Sequence, residues 1–306
     1  MPVSTRPRRS ALYVTGANAR AVAKAKTVPA DVIIFDLEDS VSPANKERAR
    51  EAVAQAVAEM TKGRREIVVR LNGLDTPWIA RDIAAMVTAR PDALLLPKIA
   101  RTDDIRRARA AIGAASPPKD MSLWLMIETP AAVLNAAAIA AIGSMPPPAI
   151  TGFVIGTNDL ASDLNIPPRP GRAALLPHLA QALLAARAHG LTILDGTFND
   201  IDDRKGLKAE CVQGREMGMD GKTVIHPSQV PIANEAFAPH PEELIWARRV
   251  VEAFAEPDNS GVEVLALAGR MVERLHERAA KRMLAMAEAI AAMEGETATP
   301  KVRGKK

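Results

Sequence analysis

The sequence predicts an α/β fold, a (β/α)8 TIM barrel with a C-terminal helical extension. Eight short apolar or β-branched runs alternate with Ala-rich segments that have helical periodicity. The chain has 306 residues, which is long enough for one barrel of the usual size, about 250 residues. Hydrophobic residues make up 48% of the chain and aromatic residues only 3%, so the core must be aliphatic, as in parallel sheets buried on both faces.

Each predicted strand is a nearly continuous apolar run. In chain order the runs are ALYVTG (11–16), DVIIFDLED (31–39), EIVVRLN (66–72), ALLLPK (93–98), LWLMIET (123–129), GFVIGTND (152–159), TILDG (192–196) and KTVIHP (222–227). Helical segments lie between them, for example KERAREAVAQAVAEM and LLPHLAQALLAARAHG, the latter ending on the helix-stopping Gly190. An open doubly wound sheet is the alternative, but it more typically has six strands and a Gly-rich first turn, which TGANAR matches poorly.

The pattern divides the chain into four segments. Residues 1–9 are predicted to form a basic, solvated N-terminal tail, residues 10–240 the catalytic barrel, 241–294 the helical extension, and 295–306 a basic disordered tail. The extension is predicted to hold two helices, at about 241–256 and 262–293. The second helix carries a long apolar stripe that requires a partner surface, and a neighbouring subunit is the favoured partner.

Composition and charge exclude several classes of protein. No apolar run approaches about 18 residues, and the basic start lacks a signal-peptide core, so a soluble protein without a membrane partner is expected. The single cysteine, Cys211, fits a reducing cytoplasm. The net charge of +4 comes largely from the chain ends, and the near absence of aromatic stacking residues argues against a nucleic-acid partner. A basic chain also suits a polyanionic substrate.

Polar residues cluster at the carboxyl ends of the predicted strands, which in a barrel all face one rim. Such a convergence indicates an enzyme, although any single member could instead form a structural ion pair. The residues are Asp36, Glu38, Asp39, Arg70, Asn72, Lys98, Glu128, Asn158, Asp159, Asp195 and His226.

Two of these carboxylates, Glu128 and Asp159, follow consecutive strands. Neighbouring parallel strands lie about 4.8 Å apart, so both side chains could hold one divalent cation. Oxygen ligands without a nearby His or Cys pair favour Mg²⁺, with Mn²⁺ as the other choice, over zinc. The alternative is structural: Glu128 would cap the next helix and Asp159 would brace a turn.

These residues stand in a series of motifs that resembles the citrate lyase β-subunit-like branch of the HpcH/HpaI aldolase superfamily, which includes malyl-CoA and citramalyl-CoA lyases. The resemblance runs from about Ser10 to about Phe254, through DLED, VVRLNG, LLLPK, MIETPA, GTNDLA and GKTVIHPSQ. It implies a barrel, bound Mg²⁺, a CoA thioester as substrate and a homo-oligomer, commonly a trimer or hexamer.

The resemblance also implies roles for individual residues. Glu128 and Asp159 match the two metal carboxylates, and Arg70 matches the arginine that binds the carboxylate of the 2-oxo acid. Glu38 and Asp39 match the acidic pair beside the metal, where they would hold water ligands or position Arg70; a plain salt bridge to Lys98 is the alternative.

Three basic residues are assigned to substrate and CoA binding. Arg20 and Lys26 fall where the first loop and helix of the family meet the CoA phosphates, although either could be a solvated helix charge. Lys98, at the end of the fourth strand, joins this set. His226 in IHPSQ is expected to shape its turn rather than to act as a general base.

The tail departs from the family pattern. Many of the CoA lyases have an Asp in a Gly-Lys-Met-Ile/Val-Asp-x-Pro stretch that reaches a neighbouring active site. Here the stretch reads AGRMVERL, so Glu273 replaces that Asp and Leu275 replaces the Pro. Glu273 could transfer the same proton, or the segment could continue as helix.

The reaction that these parts suit is cleavage, or the reverse condensation, of a 3-hydroxyacyl-CoA that carries a carboxylate. The products would be acetyl-CoA, or a homologue, and a 2-oxo acid. A citrate lyase β subunit acting on an acyl carrier protein thioester is one alternative, and a non-catalytic binding or scaffold protein is another.

Overall fold

The computed structural model describes residues 6–60, 63, 65–144 and 147–298. Eight parallel strands close into a barrel in chain order, and β8 completes the ring by pairing with β1, which confirms the predicted fold class. The strands are Ser10–Thr15 (β1), Val32–Asp36 (β2), Glu66–Arg70 (β3), Ala93–Leu96 (β4), Ser122–Ile127 (β5), Ile150–Ile155 (β6), Thr192–Asp195 (β7) and Gly221–Val224 (β8).

Nine helices surround these strands in the described part of the barrel, mostly one after each strand. They are Ala19–Ala25 (α1), Lys46–Glu59 (α2), Ile79–Ala89 (α3), Thr102–Ala114 (α4), Pro130–Ala141 (α5), Thr157–Asp163 (α6), Leu176–Ala188 (α7), Arg204–Met217 (α8) and Val230–Phe237 (α9). No helix among the described residues is long and apolar enough to cross a membrane.

Alternation along the strands divides the core into two layers. On β2, Val32 and Ile34 pack into the barrel lumen with Trp124, whereas Ile33 and Phe35 face outward and pack against the helices. Both layers are fully buried, which is why the strands read as continuous apolar runs. The lumen is therefore a packed core.

Arg8 and Arg9 are part of the barrel, and the prediction of a solvated tail over residues 1–9 is wrong for them. Arg8 binds both carboxylate oxygens of Glu66, and Arg9 binds both oxygens of Asp31. All four side chains are buried. These paired charges lie directly before β1 and β2 and at the first residue of β3, which places them at the amino-terminal end of the barrel. Residues 1–5 lie outside the described residues.

We expect Asp31→Ala to lower the free energy of unfolding by about 3 to 5 kcal/mol, because it removes the buried carboxylate that binds the Arg9 guanidinium through both of its oxygens. Urea unfolding monitored by circular dichroism measures this change. Asp103→Ala is the matched control, since Asp103 pairs with Arg106 at the surface and such pairs contribute under about 1 kcal/mol. Equal effects of the two substitutions would contradict the prediction.

Residues 238–298 form a second compact unit. It consists of α10 (Pro241–Ala255), the antiparallel strands β9 (Val264–Leu267) and β10 (Arg270–Glu273), and the long helix α11 (Arg274–Ala298). Ala247, Val250 and Phe254 of α10 form its core together with Val272 and Ala280.

The predicted helix over 262–293 is wrong in its first third, where the chain forms a hairpin instead. Ala268 and Gly269 have φ values of 50° and 76°, which make the tight turn between β9 and β10. The apolar residues before Arg274 lie on the two strands of this hairpin, and their match to helical spacing is a coincidence. Residues 295–298 of the predicted C-terminal tail continue α11, and residues 299–306 lie outside the described residues.

Candidate active site

A cavity of about 770 Å³ opens where the carboxyl ends of the strands converge. Its lining includes Arg70, Asp36, Asp39 and Asp159, together with Tyr13 from β1. This end of the barrel is where the strand-end residues of the sequence were expected to meet. The charged lining indicates a site for a polar substrate or an ion.

Arg70 ends β3 and is held in a fixed orientation. Its Nε and Nη2 atoms donate to the two oxygens of Asp36, each at 2.7 Å, and Asp36 ends the adjacent strand β2. The guanidinium also stacks over the ring of Tyr13, 5.1 Å from its centroid. Burial raises the pKa of Asp36, but the charge and hydrogen bonds of Arg70 outweigh it and hold that pKa below its usual value.

Glu38 and Asp39 lie beside Nη1 of Arg70, the guanidinium nitrogen that Asp36 does not bind. The Nη1 atom of Arg70 lies 2.9 Å from Glu38 Oε2 and 3.7 Å from Asp39 Oδ2. Glu38 is buried, and Oε2 has no aligned hydrogen bond among the described residues. Burial raises the pKa of Glu38 to about 7, although Arg70 acts in the opposite direction and Asp39 adds to the rise. A carboxyl group with such a pKa is able to exchange a proton near neutral pH.

Glu128 and Asp159 come together as predicted, beyond β5 and in the first turn of α6. The alternative that Glu128 caps the next helix is wrong, because Thr129 caps α5 by accepting from the N–H of Ala132. Gly156 leaves room for the pair: a Cβ atom at that position would lie 2.4 Å from the Cβ of Glu128.

Lys98 marks the centre of this carboxylate group. Its Nζ lies 2.8 Å from Asp159 Oδ2 and 4.0 Å from both Glu128 Oε2 and Asp39 Oδ2. Its backbone has a φ of 55°, and its N–H donates to Glu128 Oε1 at 2.5 Å. A side-chain ammonium in this position shows where the site favours positive charge. The proposed salt bridge from the acidic pair to Lys98 reaches only Asp39, at that longer distance.

The donors present fit a magnesium ion. Glu128 Oε2 is fully buried and lacks a hydrogen-bond partner within the described chain, and an unpartnered carboxylate oxygen is a ready ligand for a hard cation. Within the described residues, no three His, Cys, Asp or Glu side chains are grouped as a closed metal site. Two carboxylates with water in the remaining positions is an arrangement that Mg²⁺ commonly adopts.

We expect the affinity for Mg²⁺ to rise about tenfold per pH unit between pH 6 and pH 8 and then to level off. Burial raises the pKa of Glu128 to about 8, with Lys98 opposing the shift and Asp159 adding to it. Below that value the carboxyl group is protonated, so binding must release a proton. Calorimetric titration in two buffers of different ionisation enthalpy measures the release. An affinity that is flat over this range would contradict the assignment.

Two strand-end residues turn out to be structural. Asp195 lies beneath the mouth, where it is fully buried and paired with Arg172 and Lys222. Asn72 binds Asp82 and Lys46. Both stabilise the barrel, and neither lines the cavity.

The two residues at the first helix that were predicted to bind CoA, Arg20 and Lys26, lie outside the cavity lining. Lys26 pairs with Glu59 at 2.7 Å on the exposed helix surface, and neither Lys26 nor Arg20 lines the cavity. Lys24 lines it instead, one helical turn after Arg20. That i, i+4 spacing was the signal in the sequence that could have identified it.

His226 and Asn199 lie at the cavity, whereas Glu273 belongs to the second unit. His226 lines the cavity and caps the turn that follows β8, as expected. Glu273 ends β10 in the second unit, where its backbone N–H donates to His276, and its part in the chemistry stays a prediction. Asn199 was missed: its side chain pairs with that of Asn158 through two reciprocal amide hydrogen bonds at the cavity.

Comparison with known proteins identifies the family. The HpcH/HpaI aldolase/citrate lyase family matches residues 9–227. The chain is 47% identical to a (3S)-malyl-CoA thioesterase of Cereibacter sphaeroides over 286 residues, covering 94% of this chain and 96% of the relative. It is 30% identical to an L-malyl-CoA/β-methylmalyl-CoA lyase of that species, covering 95% of this chain and 98% of the relative.

A solved structure agrees with this assignment. The CitE protein of Mycobacterium tuberculosis, in complex with magnesium, acetoacetate and coenzyme A, superimposes with a TM-score of 0.72 at 30% identity. The match covers 93% of this chain and all of that chain. The chain described here is thus an enzyme of the HpcH/HpaI aldolase/citrate lyase family of carbon–carbon lyases.

Proposed function

We propose that the enzyme acts on the CoA thioester of a 3-hydroxy dicarboxylic acid, malyl-CoA or a methyl homologue. In the presence of Mg²⁺ it cleaves the carbon–carbon bond to give acetyl-CoA, or a homologue, and a 2-oxo acid. The observation that carries this proposal is the position of Arg70, an oriented carboxylate-binding group, at the same mouth as Glu128 and Asp159. The lyase relative, whose name states this activity, supports it.

The protein's own groups would divide the chemistry. The N–H groups of Arg70 that Asp36 does not occupy would bind the free carboxylate of the substrate. Mg²⁺ held by Glu128 and Asp159 would polarise the neighbouring hydroxyl oxygen as a Lewis acid. Glu38 would accept the hydroxyl proton, because its pKa near 7 suits a general base.

Carbon–carbon cleavage then leaves the bonding electron pair on the thioester as an enolate. The former hydroxyl carbon becomes the carbonyl of the 2-oxo acid, and the enolate takes up a proton to become the acyl-CoA product. Glu273 of a neighbouring subunit is the candidate donor of that proton.

A second candidate function is hydrolysis of the same thioester, favoured by the 47% identity to malyl-CoA thioesterases. The same groups would bind the substrate, but water would attack the thioester carbonyl, and free CoA and the hydroxy acid would leave. The alternative substrate is a thioester of an acyl carrier protein, in which case the chain would act as a citrate lyase β subunit. A non-catalytic scaffold would show no Mg²⁺ binding at millimolar concentration.

One assay separates these possibilities. The enzyme is incubated with Mg²⁺ and malyl-CoA, glyoxylate is trapped with phenylhydrazine, and free thiol is measured with a disulfide reagent. Cleavage yields glyoxylate without thiol, whereas hydrolysis yields thiol without glyoxylate. Cleavage of citramalyl-CoA would give pyruvate in place of glyoxylate, and phenylhydrazine traps that 2-oxo acid as well. Release of neither a 2-oxo acid nor free thiol from malyl-CoA, methylmalyl-CoA or citramalyl-CoA would contradict the proposal, and activity only on the carrier-protein thioester would favour the citrate lyase role.

We further propose that the chain assembles as a trimer or hexamer through residues 238–298. Large apolar side chains of this unit are exposed, among them Ile245, Val264, Met271 and Leu275. Covering such a patch stabilises an assembly by about 25 cal/mol per Å². Truncation after Pro257 should therefore give smaller, poorly soluble species in analytical ultracentrifugation. A soluble, fully active monomer after truncation would contradict the assembly.

Subunit mixing tests the part of Glu273. Glu273→Ala and Glu128→Ala should each be inactive, and together they should recover partial activity, because some sites would combine an intact barrel with an intact neighbouring tail. No recovery, with subunit exchange verified, would remove Glu273 from the chemistry.

A further inference from the structure

We propose that His226 is a catalytic residue, which donates a hydrogen bond from Nε2 to the carbonyl oxygen of the substrate thioester. This inference rests on the proposed function. It holds for either reaction, because cleavage to an enolate and attack by water both develop negative charge on that oxygen. It goes beyond the structural part that His226 plays in its turn.

The contacts of Nδ1 within the turn indicate the tautomer of the imidazole. His226 precedes the turn Pro227–Gln229, and its Nδ1 accepts the backbone N–H of Ser228 at 3.2 Å. The same nitrogen lies 2.7 Å from the hydroxyl oxygen of Ser228. A ring nitrogen that accepts from a backbone N–H carries no proton, and we therefore assign the ring proton to Nε2, with the Ser228 hydroxyl donating to Nδ1. In this tautomer the ring presents a hydrogen-bond donor towards the cavity.

The backbone of the turn that carries His226 is also held in place. The buried side chain of Gln229 accepts from the backbone N–H groups of Ile225 and His226 at 2.9 and 3.3 Å. The side-chain amide nitrogen of Gln229 donates to the carbonyl of Phe198 at 3.0 Å, which connects this turn to the loop after β7. A donor fixed before the substrate arrives stabilises developing charge without reorganisation.

The charge distribution around the cavity places the thioester on the His226 side. The acidic lining residues Asp36, Asp39 and Asp159 come from β2, the segment after β2 and the segment after β6, and Arg70 comes from β3. These groups suit the charged end of the substrate. The lining from β7, β8 and the segments that follow them is uncharged, and includes Asn199 and Thr223 besides His226. An uncharged thioester suits that side, and Lys24, after the adjacent strand β1, lies where an anionic CoA would continue.

Two other donors on this side, Thr223 and Asn199, are already engaged. The Thr223 hydroxyl donates to the backbone carbonyl of Asp195 at 2.9 Å, and Asn199 donates to Asn158 at 2.8 Å. Within the ranges that the structure describes, no protein group accepts from Nε2 of His226. That N–H is therefore available to a carbonyl oxygen, as is the hydroxyl of Thr197 in the same part of the lining.

Two substitutions separate the two nitrogens of the ring. In His226→Asn the side-chain oxygen can replace Nδ1 and keep the cap, but no donor remains at the Nε2 position. In His226→Gln the longer amide can replace the Nε2 donor, but the cap acceptor is lost. We expect kcat on the substrate identified for the wild type to fall about 100-fold in His226→Asn and within about tenfold in His226→Gln, whereas Tm should fall more in His226→Gln. His240→Asn, at the exposed start of α10, is the matched control and should change neither.

A purely structural histidine would give the opposite order of activity, with His226→Gln the more damaged enzyme, and that result would overturn the proposal. Long-range ¹H–¹⁵N spectra of the wild-type enzyme give a readout without turnover, with the His226 signals assigned by their loss in His226→Asn. They should show the proton on Nε2, and a proton on Nδ1 alone would refute the inference. A wild-type enzyme without activity on any of the three thioesters would count against the proposed function, and the tautomer would still be measured.

Discussion

Asp159→Asn is expected to lower Mg²⁺-dependent turnover about 1,000-fold while leaving the fold intact. The substitution removes one of the two charged oxygens that would hold the cation, and loss of several kcal/mol of charge stabilisation corresponds to a factor of that size. Asp159 is partly exposed and its main partner is the flexible Lys98, so the barrel should tolerate the change. Steady-state rates at saturating Mg²⁺ and calorimetric metal titration measure the two consequences.

Asp163→Asn provides the matched control for this substitution. Asp163 ends the same short helix α6 and is exposed, so its loss should change neither rate nor metal affinity. Glu128→Gln should behave as Asp159→Asn does in both measurements. Retained activity in Asp159→Asn would contradict the metal assignment, whatever the result for Glu128.

Arg70→Lys is expected to lower kcat/KM for the dicarboxylate thioester by about 100-fold or more, although the positive charge is kept. A lysine cannot bind both Asp36 oxygens and a substrate carboxylate with one planar group. The ammonium is expected to bind Asp36 and to lose its place over the Tyr13 ring. Binding of CoA itself should be unchanged, because Arg70 is assigned to the other end of the substrate.

Arg50→Lys is a control for the general effect of losing a buried planar fork. Arg50 pairs with buried Asp82 at 2.7 Å, and neither residue lines the cavity. This variant should lose stability with little change in kcat/KM. If Arg70→Lys kept the kinetics of the wild type, the two-pronged contact would be irrelevant to the reaction.

The site shows why strand ends are readable from a sequence while side-chain partners are not. Glu128 and Asp159 could be paired in advance, because consecutive strands of a barrel are neighbours and their ends share one rim. The same reasoning placed Asp195 at the rim, but the fold puts Arg172 and Lys222 against it and removes it from the cavity. Which strand-end charge is satisfied by the protein depends on residues far away in the chain.

By itself the sequence determined the barrel, because eight apolar runs with intervening helical segments have few other closed arrangements. It also determined the group of charges at the mouth. Only the tertiary structure decided that Arg8 and Arg9 are buried, since their partners Glu66 and Asp31 come from other strands. Only tertiary structure decided that Lys98 lies among the carboxylates and that the segment before Arg274 is a hairpin. The physical reason for the charged residues is that hydrophobic periodicity is a local property, whereas the pairing of charges depends on contacts between residues distant in the chain. In a short apolar segment such as the one before Arg274, the local pattern is compatible with both helix and strand, so contacts within the folded unit decide the element.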